Sequence, residues 1–164
     1  MTQEPNAVAH ESAFQEAVVT ACQDLLRGSG RQYVMLESFG LDIAMFIAEG
    51  VDAVVRLIEV KVYAGGRPGG VGFGNQRGGG PQVDLLLSEA SDLRPFERTI
   101  AWAYADAMRP AGSARYALCG SLAIKSAAMG KVARGKQNNI RISALQDHLV
   151  IWPLFIDRLS LFLQ

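Results

Sequence analysis

The stretch "AVVRLIEVKVY", from Ala53 to Tyr63, combines a strand-like apolar pattern with an acid and a lysine near its end. Valine, isoleucine and tyrosine favour extended structure, so the stretch predicts a strand. Because side chains alternate along a strand, Glu59 and Lys61 lie on one face together with Leu57. Burying either charge without a partner is costly. We therefore expect the first residues of this face to lie in a core and the last ones, Glu59 and Lys61, to lie in a site that uses both charges.

The residues before this strand predict a helix and two more strands. Apolar residues recur at helical spacing over residues 11–27, and a Gly-Ser-Gly sequence ends the helix. Two apolar runs then predict strands over residues 31–40 and 41–48, and Glu49-Gly50 predicts a tight turn. The three strands are expected to form an antiparallel meander.

A second carboxylate is predicted near Glu59. Asp42 stands at the head of the second strand, and a rough hairpin register brings it to the same end of the sheet as Glu59. Two carboxylates beside a lysine can hold Mg²⁺, because Mg²⁺ takes one or two carboxylates and fills its other positions with water and phosphate oxygens. The alternative is a plain salt bridge between Glu59 and Lys61 on a half-exposed strand.

A helix and a strand are followed by a second strand with an acid at its head and by a third strand with Glu-x-Lys. This order resembles the PD-(D/E)XK, or restriction-endonuclease-like, nuclease superfamily. The residues that carry the resemblance are Asp42 in "GLDIAMF" and the "IEVK" sequence from Ile58 to Lys61. The resemblance covers Glu11 to Leu87, about half of the chain.

The resemblance implies an α/β fold, a restriction-endonuclease-like α/β/α sandwich around a small mixed central sheet. It also implies hydrolysis of phosphodiester bonds, in DNA as we interpret it, with Mg²⁺ or Mn²⁺ as cofactor. Asp42 and Glu59 would be metal ligands and Lys61 the catalytic lysine. The rival interpretation is a catalytically inactive nucleic-acid-binding or assembly module on the same fold.

The same resemblance suggests two more site residues. Many members use an acid or a glutamine on the first helix, where the candidates are Glu11, Gln15 and Glu16, with Glu16 preferred. Some branches place a glutamine on the helix after the Glu-x-Lys strand, and Gln82 in "PQVDLL" stands at that position.

A glycine-rich segment, Ala64 to Gly80, follows the strand that bears Lys61 and holds nine of the chain's 17 glycines. It is too flexible for a strand or helix, and it lacks the Gly-Lys-Ser/Thr ending of a phosphate-binding P-loop. A loop beside the site could close over a nucleic acid, with arginines on phosphates, a glutamine on a base and an aromatic ring stacked on a base. The candidates for these roles are Arg67, Phe73, Gln76 and Arg77. The alternative is a surface loop that is disordered in the free protein.

A basic stretch lies in the second half of the chain. Seven lysines and arginines and no acid fall between Asp106 and Asp147. Such a stretch can bind phosphates, and Arg134 and Lys136 in "RGKQNN" are its best candidates. A solvated polar face is the alternative for the stretch, and a surface turn for "RGKQNN".

The remaining residues predict alternating helices and strands within one domain over residues 10–164, after a flexible segment 1–9. The predicted helices cover residues 81–91 and 122–129, and a last one starts at Pro153. The predicted strands cover residues 99–107, 115–121 and 140–145, and a polar loop covers 133–139.

Composition and cysteine usage narrow the class of protein. With 49% hydrophobic and 20% charged residues, the chain is typical of a globular domain and unlike a disordered one. Cys22 and Cys119 stand far apart among apolar neighbours, so we expect buried free thiols. No signal-like opening and no long apolar run is present, which predicts a cytoplasmic protein without a membrane partner. The apolar stretch from Leu149 to Leu163 is expected in the core, and a homodimer that buries part of it is an alternative.

Overall fold

The computed structural model describes most of the chain, including the stretches that carry the predicted acids and lysine. The described residues are 2–5, 10–39, 41–65, 70–73, 80–107 and 115–164, without the side chains of 38, 39 and 70–73. Arg67, Gln76 and Arg77 lie outside the described residues, and Phe73 is described by its backbone alone.

The first helix, α1, covers Glu11–Gly28 as predicted. His10 precedes it in an extended conformation, and its side chain accepts a hydrogen bond from the Ala13 amide at 3.3 Å. This bond satisfies one of the amide groups that a helix N-terminus leaves without a partner. Gly30 takes a φ of 69°, a conformation that favours glycine and ends the helical geometry.

Three antiparallel strands follow and confirm the predicted meander: β1 (Tyr33–Phe39), β2 (Leu41–Glu49) and β3 (Asp52–Tyr63). Gly50 has a φ of 62° in the two-residue turn between β2 and β3, where the hairpin geometry requires a positive φ. The register pairs Ile43 with Ile58, so the start of β2 lies beside the second half of β3.

Two further strands, β5 (Ile100–Asp106) and β6 (Arg115–Gly120), complete a five-stranded sheet. Its order is β1-β2-β3-β5-β6, and β3 runs parallel to β5 while the other neighbours are antiparallel. The chain is therefore of the α/β class with a mixed sheet, as predicted.

One face of the sheet packs against α1 and the last helix, α5 (Trp152–Leu163). Its core contains an aromatic cluster in which the rings of Tyr116 and Trp152 lie 4.9 Å apart and those of Trp152 and Phe155 lie 5.3 Å apart. The predicted final helix is thus confirmed, and it buries most of its apolar residues against the sheet.

The opposite face packs against α2 (Pro81–Leu87) and α4 (Ser121–Ser126). Trp102 is buried there, and its indole nitrogen donates to the Ser121 hydroxyl at 3.2 Å. Glu59 lies on this face because it pairs in register with Trp102. The two cores lie on opposite faces of the sheet. Strand β3 therefore directs apolar side chains to one face and its charged pair to the other.

Both cysteines are free and buried, as predicted. Burial raises the pKa of the Cys22 thiol to about 12 and that of Cys119 to about 12. Both therefore stay protonated and behave as small apolar core residues.

Part of the glycine-rich segment is a strand, and the prediction that it is too flexible for regular structure was wrong there. β4 (Gly70–Phe73) pairs antiparallel with β7 (Asn138–Arg141) in a separate two-stranded sheet, which we call the ribbon. Ladder hydrogen bonds use backbone groups only, so glycine can join once its partner strand is fixed. Ile140 fixes β7 because its side chain is buried in the core beside α2.

The predicted helix over residues 81–91 is interrupted. α2 ends at Leu87, and α3 (Ala90–Leu93) follows after two extended residues and continues into a 3₁₀ turn at Arg94–Phe96. The Ser88 carbonyl accepts a hydrogen bond from the Lys125 ammonium of α4. This tertiary contact occupies a carbonyl that a continuous helix would have used internally.

Two other boundaries differ from the sequence prediction. α4 ends at Ser126 instead of residue 129, and Ala128 instead forms a bridge to Ile140. β7 starts at Asn138 and gives way to a 3₁₀ helix over Ile142–His148, so the predicted strand over 140–145 and loop over 133–139 were both misplaced. No helix in the described part of the chain is long and apolar enough to cross a membrane.

Residues 2–5, predicted within a flexible N-terminal segment, contact the core beneath α5. The Thr2 carbonyl accepts a hydrogen bond from the Trp152 indole at 3.2 Å. The Glu4 carboxylate accepts one from the Tyr116 hydroxyl at 3.1 Å. Residues 1 and 6–9 lie outside the described residues.

Asn138 holds the loop before β7, and its removal should destabilise the protein. Its side chain is buried, accepts a hydrogen bond from the Ala133 amide at 3.0 Å, and donates to the carbonyls of Ala133 and Lys136 at 3.0 and 3.2 Å. We expect Asn138→Ala to lower the free energy of unfolding by about 1–3 kcal/mol, because these groups lose their partner. Urea denaturation measures the change.

Asn139→Ala is the matched control. The Asn139 side chain makes no hydrogen bond within the described residues, so its removal should cost less than about 0.5 kcal/mol. An equal loss in the two variants would contradict the role assigned to Asn138.

Candidate active site

An ion pair between Glu59 and Lys61 forms the centre of the candidate site. The Lys61 Nζ atom lies 2.9 Å from Glu59 Oε1, and the two residues are only 6% and 2% exposed. The alternation of β3 places both on the face that packs against α2, beside Trp102 and Tyr104 of the parallel strand β5. The two residues form the salt bridge of the alternative interpretation, but the pair is buried and not half-exposed.

Gln82 joins this pair from α2. Its side-chain Nε2 donates to Glu59 Oε1 at 3.0 Å. Pro81 and Gln82 open α2, so the helix delivers the glutamine from its first turn. A Cβ atom at Gly80 would lie 2.7 Å from Gln82 Oε1, so glycine at position 80 leaves room for this side-chain conformation. The structure therefore brings the predicted Gln82 to Glu59.

The first helix contributes Glu11 instead of the preferred Glu16. Glu11 Oε1 lies 3.5 Å from Lys61 Nζ, and the Gln15 side chain donates to the Asp42 carbonyl at 3.4 Å. Glu16 is exposed and lines a different surface cavity together with Thr2 and Thr20. Residues four apart share a helix face, so Glu11 and Gln15 point toward the sheet end while Glu16 turns away.

Asp42 is close to the charged pair, as the predicted register requires. Its Oδ2 accepts a hydrogen bond from the Val60 amide at 2.7 Å. The strand pairing of Ile43 with Ile58 continues to place Asp42 opposite Glu59. The two carboxylates thus meet at one end of β2 and β3, and Asp42 is half-buried where the cluster approaches solvent.

The pKa of Glu59 is raised above its ordinary value of 4.5. Burial is the main cause, and the nearby Asp42 adds to it. Lys61 and Gln82 lower the pKa in part but do not cancel the effect of burial. Burial therefore destabilises the ionised form of Glu59, and an additional positive charge nearby would stabilise it.

The pKa of Lys61 is raised above 10.5. Burial alone would lower it, but the charge of Glu59 and the hydrogen bond to it outweigh burial, and Glu11 and Asp42 contribute further. Lys61 is accordingly an ammonium at neutral pH. It can donate hydrogen bonds or attract an anion, and it cannot act as a base there.

Tyr104 places a hydroxyl beside this cluster. It pairs in register with Lys61, is fully buried, and its hydroxyl has no hydrogen-bond partner within the described residues. Burial raises the pKa of Tyr104, and Cys119, Glu59 and Glu11 raise it further. The hydroxyl is therefore protonated.

Asp42 and Glu59 are the residues of the cluster that could hold a divalent cation. Within the described ranges, no group of three or more His, Cys, Asp or Glu side chains is arranged to hold a metal ion, so a closed metal cage is not present there. Asp42 Oδ1 and Glu59 Oε2 accept no hydrogen bond from described residues. Two carboxylates with one available oxygen each suit Mg²⁺, which retains several waters.

Two of the candidate nucleic-acid contacts, Arg134 and Lys136, lie in the described part of the chain. Arg134 forms a salt bridge with Asp84 of α2, and Lys136 is exposed. Both precede β7, and the register pairs Asn138 with Phe73, so the basic turn lies at the end of the ribbon where β4 ends. Arg67, Gln76, Arg77 and the side chain of Phe73 lie outside the described residues, so their predicted roles stay predictions.

Sequence reasoning missed Tyr104 and preferred the wrong face of α1. Tyr104 lies in the predicted strand over residues 99–107 and is buried in the core with Trp102, and only the pairing of β5 with β3 shows that it neighbours Lys61. For Glu11, a signal was present: Phe14 and Val18 mark the buried face of α1, and Glu11 lies three residues before Phe14 on that side.

Comparisons with protein-family models, with curated proteins and with solved structures found no match for this chain.

Replacing Lys61 by methionine should destabilise the protein in a pH-dependent way. Breaking a buried ion pair leaves Glu59 uncompensated, and we expect a loss of about 3–5 kcal/mol in the free energy of unfolding at neutral pH. The raised pKa of Glu59 rises further without the ammonium. A carboxyl with a raised pKa in the folded state binds more protons when folded than when unfolded. The free energy of unfolding therefore falls as pH rises from 4.5, the ordinary pKa, through the raised pKa of the folded state. The loss relative to wild type should therefore shrink as pH is lowered toward 4.5.

Chemical denaturation of Lys61→Met at several pH values measures this dependence. The double variant Glu59→Gln/Lys61→Met should recover part of the lost stability, because no buried charge remains unpaired. Lys131→Met, which removes an exposed lysine, is the control and should show little change at any pH. A loss that is constant with pH would contradict the account of Glu59.

Proposed function

We propose that this protein is a Mg²⁺- or Mn²⁺-dependent nuclease that hydrolyses phosphodiester bonds of DNA, on a restriction-endonuclease-like α/β/α sandwich. One observation carries the proposal: Asp42, Glu59 and Lys61, the residues of the PD-(D/E)XK resemblance, meet at one end of β2 and β3. Gln82 joins them from the next helix. Helices on both faces of the mixed sheet support the fold assignment.

Asp42 and Glu59 would hold the cation through their available oxygens. The metal would neutralise negative charge on the phosphate and lower the pKa of a bound water. The cluster has three carboxylates and one ammonium, a net charge of minus two when all are ionised, and would repel a phosphate without a cation. This charge balance supports a metal-dependent reaction.

Lys61 and Gln82 would orient the reacting groups. Lys61 is held by Glu59 and Glu11, so its ammonium has a fixed position from which to donate to a phosphate oxygen or to the attacking water. Gln82 fixes the rotamer of Glu59 by its hydrogen bond at 3.0 Å. Preorganised donors of this kind stabilise charge that develops during the reaction.

The ribbon and the turn before β7 would hold the nucleic-acid backbone. Arg134 pairs with Asp84 of α2, the helix that delivers Gln82, and Lys136 is exposed two residues further along the same turn. The flanking parts of the glycine-rich segment carry Arg67 and Arg77, which would add phosphate contacts. Contacts to phosphates position a nucleic acid without reading its sequence.

A non-catalytic nucleic-acid-binding or assembly module is the second candidate, and one observation favours it. Glu59 Oε1 already accepts hydrogen bonds from Lys61 and Gln82, and Asp42 Oδ2 accepts one from Val60. These bonds satisfy much of the cluster without a ligand. A nucleic-acid-binding module would bind DNA and leave it uncut with every divalent metal, whereas an assembly module would bind neither DNA nor metal.

Cleavage assays distinguish the two candidates. We expect the wild type to cut supercoiled plasmid, branched DNA or single-stranded DNA with Mg²⁺ or Mn²⁺ and to stop when a chelator is added. Asp42→Asn keeps an acceptor for the Val60 amide and removes one charge. It should lower the cleavage rate on the order of 100-fold or more, as should Glu59→Gln and Lys61→Ala.

Glu16→Gln is the matched control, because it removes the same charge from α1 at a position outside the cluster. It should retain wild-type cleavage, whereas Glu11→Gln should reduce it. A folded wild type that binds DNA and cuts no substrate would support the non-catalytic module. Cleavage that survives both Asp42→Asn and Lys61→Ala would show that the site lies elsewhere.

A further inference from the structure

The two edges of the five-stranded sheet differ in how they are covered. At the β6 edge, the Tyr116 amide donates to the Val150 carbonyl at 2.8 Å and the Val150 amide donates back at 2.7 Å. At the β1 edge, no described residue pairs with the outer side of the strand. A seven-residue edge strand with unpaired backbone groups is a template for another strand.

The surface beside the β1 edge is apolar. Val34 is 59% exposed and Leu36 is 41% exposed, on the same face as Glu59 and Lys61. Val34 pairs in register with Phe46, and both line a surface groove that also includes Arg31 and Ala53. In the described part of the chain, α2 and α4 cover the β5 side of this face and leave the β1 side open.

The backbone pattern shows which residues of β1 can pair outward. The Ala48 amide donates to the Gln32 carbonyl at 2.9 Å, so position 32 directs its hydrogen-bonding groups toward β2. In an antiparallel pair the direction alternates along the strand. Tyr33, Met35 and Glu37 therefore direct their amide and carbonyl groups to the outside.

We infer that β1 pairs antiparallel with β1 of a second copy of this chain, about a two-fold axis at Val34. That register matches Tyr33 with Met35 of the partner subunit, two positions whose backbone groups both point outward. It also places Arg31 opposite Glu37 of the partner subunit, once on each side of the axis. Opposite charges in facing positions favour the pairing, and Val34 meets its own copy on the apolar face.

The charge pair selects this register over its nearest rival. An axis at Met35 also satisfies the outward backbone groups, but it places Glu37 opposite Tyr33 of the partner subunit and leaves Arg31 opposite Phe39. The Arg31 guanidinium already donates to the Leu163 carbonyl at 2.7 Å, and its other donors would meet Glu37 of the partner subunit. Glu37 is exposed and available to meet it.

The resulting dimer would have one continuous ten-stranded sheet. A two-fold axis perpendicular to the sheet keeps the same face of both copies on one side, so both Glu59–Lys61 pairs would face the same way. This arrangement does not depend on the proposed nuclease activity, and its test does not use cleavage.

Sedimentation velocity from low to high micromolar concentration tests the inference. We expect the wild type to sediment as a dimer at the upper end and Val34→Lys to sediment as a monomer throughout. Val51→Lys is the matched control, since it makes the same change at a fully exposed position in the β2–β3 turn. Leu161→Lys tests the exposed side of α5 and should leave the dimer intact. Circular dichroism confirms that each variant is folded.

A charge exchange tests the register itself. Glu37→Arg places like charges opposite each other and should weaken dimerisation at least about tenfold. The double variant Arg31→Glu/Glu37→Arg restores the opposite-charge pair and should recover most of the affinity. A monomeric wild type at every concentration would overturn the inference, as would a dimer that survives Val34→Lys. Failure of the double variant to recover would overturn the register at Val34.

Discussion

The buried ion pair between Glu59 and Lys61 is the interaction on which the site depends. Two charges taken out of water are costly unless each is held by further partners. Gln82 from α2, Glu11 from α1 and Asp42 from β2 supply hydrogen bonds or charge around the pair. The pair therefore links α1, β2 and α2 to the second half of β3. Its burial also accounts for the raised pKa of Glu59.

The sheet makes this arrangement possible because it has a different core on each face. Alternation along β3 sends Ile58 and Val60 to the core of α1 and α5, and sends the charged pair to the other side. The parallel pairing with β5 then sets Tyr104 beside Lys61 and places a protonated hydroxyl next to the charges. A site with fixed charges and available oxygens follows from strand register and helix placement.

Much of the site could be predicted from sequence, because it depends on local periodicity. The spacing of two between Glu59 and Lys61 and the turn at Gly50 determine that Asp42 meets Glu59. Gln82 was suggested by the resemblance to the PD-(D/E)XK superfamily, and the structure places it in the first turn of α2. The break at Ser88 and the strand Gly70–Phe73 depend on tertiary contacts with Lys125 and β7. Such contacts leave no periodic signal in the sequence, so these features were missed.

The most direct test of the account is the location of a bound divalent cation, measured independently of cleavage. Titration of the ¹⁵N-labelled protein with Mn²⁺ broadens amide signals near the ion. We expect selective broadening at Asp42, Val60 and Lys61, and its loss in Asp42→Asn, which keeps an acceptor for the Val60 amide but removes the charge. Broadening centred elsewhere, or none at Mn²⁺ concentrations that support nuclease chemistry, would contradict the claim that these residues form a metal-dependent active site.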